Sequence, residues 1–472
     1  MLFNSLEYAL FLFVVFVLFW TMARDKTLRT VLLLVASWLF YMSWNATFIA
    51  LIVGSTVLDY AVGGAMARAT SQRKRRGLLL VSLAGNLGAL GVFKYADFFI
   101  EAASDALRAA GIDVAPARLD LILPVGISFY TFQTLSYTID VYRGRIEPAK
   151  SFLEFATFVA FFPQLVAGPI VRAKEFMPQF AHEPRLGIER AGDATFLILR
   201  GLVKKVLIAD FLAANLIDRV WDDPGAWSTL EVWTAVFAYT WQLYGDFSGY
   251  TDIARGSAKL FGFELPINFR RPFNSTGPID FWDKWHITLS TWIRDYVYFP
   301  LGGSKQGRAR SYVNLFIAFF LTGIWHGAGW TFVIFGLWHA TTISINRLWR
   351  DLRGKHDSDA TGWKRRALVL FNLSLFVVHW PMFRSPSLDN MLAMYDRMFA
   401  FEGNAFRVAW YVVAVIAAIT LVHFTPPSLV QTARERMVRA PAYAQAAVAI
   451  AVTAALLWAG RQQAAPFIYF QF

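Results

Sequence analysis

Long apolar stretches alternate with short polar segments along most of this 472-residue chain. The stretches "YALFLFVVFVLFW" near the start and "AQAAVAIAVTAALLWAG" near the end each approach the roughly 20 residues that cross a bilayer as a helix. The strict alternation of apolar and polar positions that marks membrane strands is absent from the sequence. The pattern predicts an all-α polytopic membrane protein with about ten to twelve transmembrane helices.

Basic residues concentrate in the short segments between the apolar stretches. The segments "RDKTLR" (24–29) and "SQRKRR" (71–76) flank two predicted spans, about 29–45 and 47–66, which are separated by a turn at 43–45. Because positive charge marks cytoplasmic loops, both segments are predicted to be cytoplasmic, as are 302–311, 350–366 and 434–440. The first span has no preceding basic residue and no cleavage site, which indicates a retained helix. Both termini are then predicted to be extracytoplasmic, with a final span at about 441–459.

The stretch from about 241 to 300 breaks this pattern, because polar and helix-breaking residues crowd it. It contains "WQLYGDFSGYTDIARG" and "FWDKWHITLSTWIRDYVYFPLGG". Polar backbone inside a membrane protein is tolerated only where protein buries it or where it lines a wet cavity. We therefore expect re-entrant or short tilted helices here, and a functional site beside them.

Composition excludes several classes of function. The formal charge of +12 invites a nucleic-acid interpretation, but the basic residues lie in loops beside apolar spans, so nucleic-acid binding is not expected. The chain has no cysteine, which removes disulfides, thiol nucleophiles and thiolate metal sites. The seven histidines form no H-E-x-x-H motif, so no metal site is predicted, and no nucleotide-binding P-loop occurs.

His326, in "LTGIWHGAGW", is the first candidate for chemistry. It ends one apolar span and precedes another, and an ionisable residue in that position is a functional hypothesis by default. Gly327 and Gly329 are interpreted as leaving the backbone open for a substrate. The alternative is a structural histidine that is hydrogen-bonded to a neighbouring helix.

His286 is the second candidate. On a helix, Asp283 would share its face three residues earlier and could orient the imidazole, while Arg294 and Asp295 would follow two turns later. An interfacial amphipathic helix explains the same pattern equally well. His339, thirteen residues after His326, is interpreted as structural.

The segment "YGDFSGYTD" carries Asp246, Ser248, Tyr250 and Asp252, which could polarise a hydroxyl or bind a cation. A hydrogen-bonded packing cluster between helices is the alternative. The serine does not fit the G-x-S-x-G pattern of a nucleophile elbow. A histidine base without a cysteine or an elbow serine suggests direct transfer of an acyl group to a bound hydroxyl.

Several of these segments closely resemble motifs of the membrane-bound O-acyltransferase family, in the branch of bacterial polysaccharide O-acetylases of the alginate O-acetylase type. They are "LPVGISFYTFQTLSYTIDVYRG" (123–144), "FVAFFPQLVAGPIVR" (158–172), "YGDFSGYTDIA" (244–254), "NFRRPF" (268–273), "FWDKWHITLSTWIRDYVYFPLGG" (281–303) and "GIWHGAGWTFVIFGLWH" (323–339). The likeness runs through residues 1–350 and returns in the C-terminal "PFIYFQF".

The resemblance implies one transmembrane domain of tilted helices around a central funnel. Its expected parts are N-terminal helices (1–120), a catalytic core (121–350), C-terminal helices (351–460) and an extracytoplasmic aromatic tail (461–472). His326 corresponds to the family histidine, with Trp325 beside it, and His286 to the second histidine motif. The implied location is the bacterial inner membrane.

The resemblance also implies the reaction partners. Acetyl-CoA, or another acetyl thioester, would serve as a cytoplasmic donor substrate, and no permanently bound cofactor is expected. The acetyl group would leave on the outer side, where a separate enzyme of the SGNH-hydrolase type would place it on a polysaccharide.

The tail "PFIYFQF" suggests a relay for that acetyl group. Phe467, Phe470 and Phe472 would pack against apolar walls of the outer funnel, and Tyr469 would present its hydroxyl to His326. A phenol of pKa about 10 is easier to deprotonate than a sugar alcohol. The alternative is an aromatic belt at the outer membrane interface.

Two other functions compete with the acetyltransferase. A transporter or flippase of an acylated or lipid-linked glycan would be expected to show paired broken helices, and the sequence shows one polar interruption. An acyltransferase acting on a lipid or a secreted protein would prefer a long-chain donor.

Overall fold

The computed structural model describes residues 1–354, 360–403 and 405–459, with side chains as far as residue 456. Regular structure in these ranges is helical throughout, and no strand occurs in them. The predicted all-α fold is confirmed. The predicted relay residue Tyr469, with the rest of the aromatic tail, lies outside the described residues.

The chain divides into two compact units, of which the first comprises Met1–Leu186 and Ser257–Leu265 and the second the remainder. This division differs from the four regions that the family resemblance implied, and those regions stay predictions. The helices of the first unit are α1 (Leu6–Thr21), α2 (Lys26–Met42), α3 (Ile49–Arg68), α4 (Gln72–Leu90), α5 (Ala96–Ala109), α6 (Ile127–Tyr142), α7 (Phe152–Ala160), α8 (Phe162–Leu165) and α9 (Ala173–Phe176).

Side-chain caps define where the first helices begin. Asp25 accepts hydrogen bonds from the amides of Thr27 and Leu28 at 2.8 and 3.0 Å, which satisfies two N–H groups that the start of α2 leaves without partners. α2 then ends at Met42, and Asn45 caps the short turn that leads into α3. The turn predicted at 43–45 is therefore confirmed.

A buried carboxylate joins α3, α4 and α6. Asp59 is fully buried, and its two oxygens accept hydrogen bonds from Ser82, from Asn86 at 2.8 Å and from Thr138 at 2.9 Å. Since an unpaired polar group is costly in an apolar interior, these bonds make the three helices pack in one register.

The second unit contains the candidate site residues His286 and His326. Its helices are α10 (Ile188–Leu202), α11 (Asp218–Asp222), α12 (Thr229–Leu260, which continues into the first unit), α13 (Pro278–Trp282), α14 (Ile287–Ile293), α15 (Arg308–His326), α16 (Trp330–Arg353), α17 (Gly362–Arg384), α18 (Leu388–Phe399), α19 (Trp410–Phe424), α20 (Pro427–Arg439) and α21 (Ala442–Ala459).

Three helical stretches of the described chain are long and apolar enough to cross a membrane: Ala46–Arg68, Gln72–Ala109 and Gly362–Arg384. A fourth span results if α19 and α20, which meet at 90°, count as one. The ten to twelve spans of the sequence analysis thus stay a prediction. Many of the other helices are too short, or, like α12, carry ionisable residues along their length.

The polar stretch at 241–300 was expected to form re-entrant or short tilted helices throughout. For 241–260 this expectation is wrong, because these residues continue the 32-residue helix α12. Asp246 and Asp252 of α12 are paired with Lys205 and Lys204, which follow α10, so these carboxylates do not interrupt the helix. From 261 onward the expectation is confirmed, since only the short helices α13 and α14 and brief helical turns precede α15.

Helices α15 and α16 form a close antiparallel pair at two facing glycines. A Cβ atom added to Gly323 would collide with the backbone oxygen of Phe332, and one added to Gly336 would lie 2.5 Å from the backbone oxygen of Phe319. Small residues let helix backbones approach in this way. The contact therefore fixes how α15, and with it His326, stands against α16.

We expect Gly323→Ala to destabilise the protein by about 1–3 kcal/mol, because the added methyl group has only backbone to displace. The thermal unfolding midpoint of the purified protein in lipid nanodiscs measures this. Gly54→Ala in α3 is the matched control, since no atom lies within 4 Å of its new Cβ. An unchanged midpoint for Gly323→Ala would contradict the close contact.

Candidate active site

His326 is the last residue of α15, directly before the turn into α16. Its side chain is only 2% exposed. The imidazole packs edge-on against Phe335 and Phe383, whose ring centroids lie 5.6 and 5.0 Å away. An ionisable group thus stands at a helix end among aromatic rings.

Gly327 does not leave the backbone open beside the imidazole, as the sequence interpretation held. A Cβ atom at Gly327 would collide with the ring of Phe332. At Gly329 the nearest neighbouring atom lies 3.8 Å away, so only this position is open. Gly327 therefore permits the close packing of an aromatic ring against the turn.

Trp325 contacts both of the predicted histidines. Its ring centroid lies 5.0 Å from that of His326 and 5.6 Å from that of His286. His286 is fully buried and also packs edge-on against Phe247 at 4.6 Å. The structure thus brings together three residues that the sequence analysis singled out separately.

The backbone of His286 adopts a left-handed conformation, with φ 42° and ψ 52°. Such a conformation costs a residue other than glycine about 1–3 kcal/mol, and it persists only where the surrounding structure enforces it. Asn268 supplies that enforcement, because its backbone oxygen accepts from the amide of Ile287 at 3.0 Å. Its side-chain oxygen accepts from the amide and the hydroxyl of Thr288 at 3.2 and 2.7 Å. The "NFRRPF" segment therefore positions His286.

The structure does not place Asp283 on one helix face with His286. α13 ends before Asp283 and α14 begins after His286, and the left-handed residue between them changes the chain direction. The carboxylate is exposed, whereas the imidazole is buried. Arg294 and Asp295 form an ion pair with each other at 2.9 Å, beyond α14. The substrate-binding roles predicted for these charged residues stay predictions.

Asp246 on α12 belongs to a buried ion-pair network. One of its oxygens lies 2.7 Å from the ammonium of Lys205, which also lies 2.7 Å from Asp210. All three side chains are at least nine-tenths buried. Lys205 and Asp210 belong to the π-helical segment Val203–Asp210 that continues α10.

Asp252, a turn and a half further along α12, is paired in the same way. It accepts hydrogen bonds from Arg200 and, at 2.7 Å, from Lys204. Ser248 and Tyr250 are buried on the same helix. These contacts favour the packing alternative for this segment, and its predicted role in substrate binding stays a prediction.

A second histidine pair lies next to His326. His339 on α16 and His379 on α17 stand 4.7 Å apart, measured between ring centroids. Both line the same small cavity as His326, which has a volume of about 10 Å³. The indole nitrogen of Trp282 donates to Nδ1 of His339 at 3.4 Å, and the structural role expected for His339 stays a prediction.

His379 was missed by the sequence analysis. It lies near the end of the apolar sequence "ALVLFNLSLFVVHW" of α17, and an ionisable residue in such a helix is the signal that could have identified it. Sequence spacing could not place it beside His326, because the two residues are 53 positions apart and belong to different helices.

The residues near His326 suit proton transfer better than metal binding. Among the described residues, no three histidine, aspartate or glutamate side chains come together in a way that would hold a metal ion. A neutral imidazole can accept a proton from a bound hydroxyl that attacks an acyl group. The fold and the site thus define a helical membrane protein with a buried histidine centre suited to acyl transfer.

Comparison with known proteins extends this description. A sequence model of the membrane-bound O-acyltransferase family matches residues 149–382. The chain is 36% identical to the probable alginate O-acetylase AlgI of Pseudomonas putida, over 94% of each chain. It is 35% identical to the peptidoglycan O-acetyltransferase of Helicobacter pylori, over 81% of this chain and 76% of the relative. A teichoic acid D-alanyltransferase of Streptococcus thermophilus is 29% identical over 48% of this chain.

The chain belongs to the membrane-bound O-acyltransferase family. It is a membrane acyltransferase, as its resemblance to the family implied.

We expect Lys205→Met to destabilise the protein by about 3–5 kcal/mol, because it leaves two buried carboxylates without their shared cation. Thermal unfolding in nanodiscs tests this. The control is Lys150→Met, which removes an exposed ion pair and should change little. If the two variants lose the same stability, the buried network does not stabilise the unit.

Proposed function

We propose that this enzyme moves an acetyl group from acetyl-CoA in the cytoplasm to the outer side of the bacterial inner membrane, for O-acetylation of an extracytoplasmic polysaccharide. The observation that carries the proposal is the position of His326 at the end of α15, buried in an aromatic cavity and in contact with Trp325. The names of the two O-acetylating relatives support an acetyl group and a glycan acceptor.

In the proposed step, His326 acts as the general base. It removes the proton of the acceptor hydroxyl while the oxygen attacks the thioester carbon, forming the ester bond and breaking the carbon–sulfur bond. The proton then passes to the departing thiolate, which leaves as the thiol of coenzyme A. A positioned base raises the rate of such a reaction by about 10²–10⁴-fold.

His286 and Trp325 have supporting roles in this proposal. Trp325 packs against both histidines, so its indole holds their rings at fixed positions. The constrained backbone of His286 places its imidazole at the same indole. Preorganisation of this kind keeps the reacting groups in a productive geometry.

The aromatic tail supplies the proposed acceptor. Tyr469 would take the acetyl group on its phenol oxygen and pass it to the polysaccharide through an extracytoplasmic enzyme of the SGNH-hydrolase type. The aryl ester has a better leaving group than a sugar ester, which makes the onward transfer favourable. This proposal places both termini outside the cytoplasm.

The test is covalent labelling of the purified protein with radiolabelled acetyl-CoA. We expect label on the wild type, loss of about 10²-fold or more in labelling rate for His326→Ala, and no label for Tyr469→Phe. His182→Ala is the matched control, because His182 is an exposed histidine of the other unit and should label normally.

Each alternative has its own outcome. Label that survives Tyr469→Phe would place the acceptor elsewhere on the chain. A palmitoyl donor that outcompetes acetyl-CoA would favour acylation of a lipid or a secreted protein. Counterflow of a glycan in proteoliposomes without any covalent transfer would favour a transporter.

A further inference from the structure

The cavity beside His326 has walls made almost wholly of aromatic rings. His326, His339 and His379 line it together with Phe281, Trp282, Phe335, Phe376, Trp380 and Phe383. The cavity volume is about 10 Å³, which leaves room for about one water-sized group. An acyl group held for reaction at His326 therefore meets a space that admits only a small group.

Phe376 forms part of the wall away from the catalytic histidine. Its ring stacks on Phe281 with a centroid distance of 3.6 Å and contacts His339 and His379 at 5.5 and 5.2 Å. These neighbours leave the ring little room to move, because packed interiors resist displacement. Phe376 thus limits how far a chain that enters beside His326 can extend.

His379 places one polar atom in this apolar wall. Nδ1 of His379 lies 3.4 Å from the carbonyl oxygen of Leu375, and since a carbonyl only accepts, Nδ1 is the donor there. Nε2 is then an acceptor. It is buried, and no described residue donates a hydrogen bond to it. Methylene groups packed over this nitrogen would exclude water without replacing its hydrogen bond.

We propose that this cavity is the pocket for the acyl group, and that Phe376 by its size and His379 by its buried acceptor restrict the donor to acetyl. The inference rests on the proposed function and specifies its substrate. An acetyl group brings one methyl, which is close to the size of the group that the cavity admits. A butyryl group adds two methylenes, which must displace the ring of Phe376 and cover Nε2 of His379.

The expected change in donor specificity follows from how strongly apolar pockets discriminate between chain lengths. One methylene more or fewer in an apolar pocket changes specificity by about 10–200-fold. Removing the side chain of Phe376 opens space for two methylenes, and replacing His379 by leucine removes its Nε2 acceptor from the wall at nearly unchanged size. Each change relieves a different obstacle to the longer chain.

The experiment measures labelling of the purified full-length protein with acetyl-, propionyl- and butyryl-CoA in competition. Wild type is compared with Phe376→Ala, Phe376→Leu and His379→Leu. Phe371→Ala is the matched control, because Phe371 lies on the same helix with 63% of its surface exposed. We expect the butyryl-to-acetyl ratio to rise at least 10-fold in Phe376→Ala and His379→Leu, by less in Phe376→Leu, and not at all in Phe371→Ala.

A ratio that stays at the wild-type value in Phe376→Ala and His379→Leu, while both variants still transfer acetyl, would overturn the inference and leave the proposed function intact. Wild type that accepts butyryl as readily as acetyl would also overturn it. Wild type that takes no label from any of the three donors would instead refute the proposed donor. Using the ratio removes the effect of partial unfolding, because both donors compete for the same folded molecules.

Discussion

The cost of burying a polar group without a partner constrains this protein more than any other interaction. Each unit contains buried carboxylates within or between its helices, and each carboxylate is matched. Asp59 is held by neutral donors from two neighbouring helices, whereas Asp246 and Asp252 are held by cations that follow α10. Since water is excluded from these positions, the partners fix the rotation and depth of each helix. The two arrangements are independent solutions to one physical problem.

The histidine centre depends on a second constraint, the packing of aromatic rings around the imidazole of His326. Helices α15 and α16 approach closely at glycine, which sets His326 against rings from α16 and α17. Trp325 then joins this histidine to the strained turn at His286. The packed rings hold the imidazole that we propose as the base. Such an environment suits a reaction in which a proton is accepted and returned within one transfer step.

The same rings explain how the enzyme could select its donor. In the proposal, the aromatic walls penalise length in the group that enters the cavity, and the buried Nε2 of His379 penalises its hydrophobicity. The relatives named as O-acetylases of alginate and peptidoglycan act on different acceptors, which indicates that the acyl-transfer part can be retained while the acceptor changes. An acyl pocket in the helical core could be kept while the acceptor changes, because core helices vary less than surface loops.

The sequence by itself determined the all-α membrane class and the turn between α2 and α3, and it singled out His326 and His286 as candidates. These features depend on local properties, namely apolar runs, caps and ionisable residues beside apolar spans, which one sequence displays directly. Only the tertiary structure decided which polar residues are neighbours. It showed that Asp246 of α12 forms a buried ion pair, and that Asp283 is exposed whereas His286 is buried. It also showed that His379 lines the same cavity as His326. These relations join residues up to 53 positions apart, and their geometry arises when the helices pack, so no local pattern encodes it.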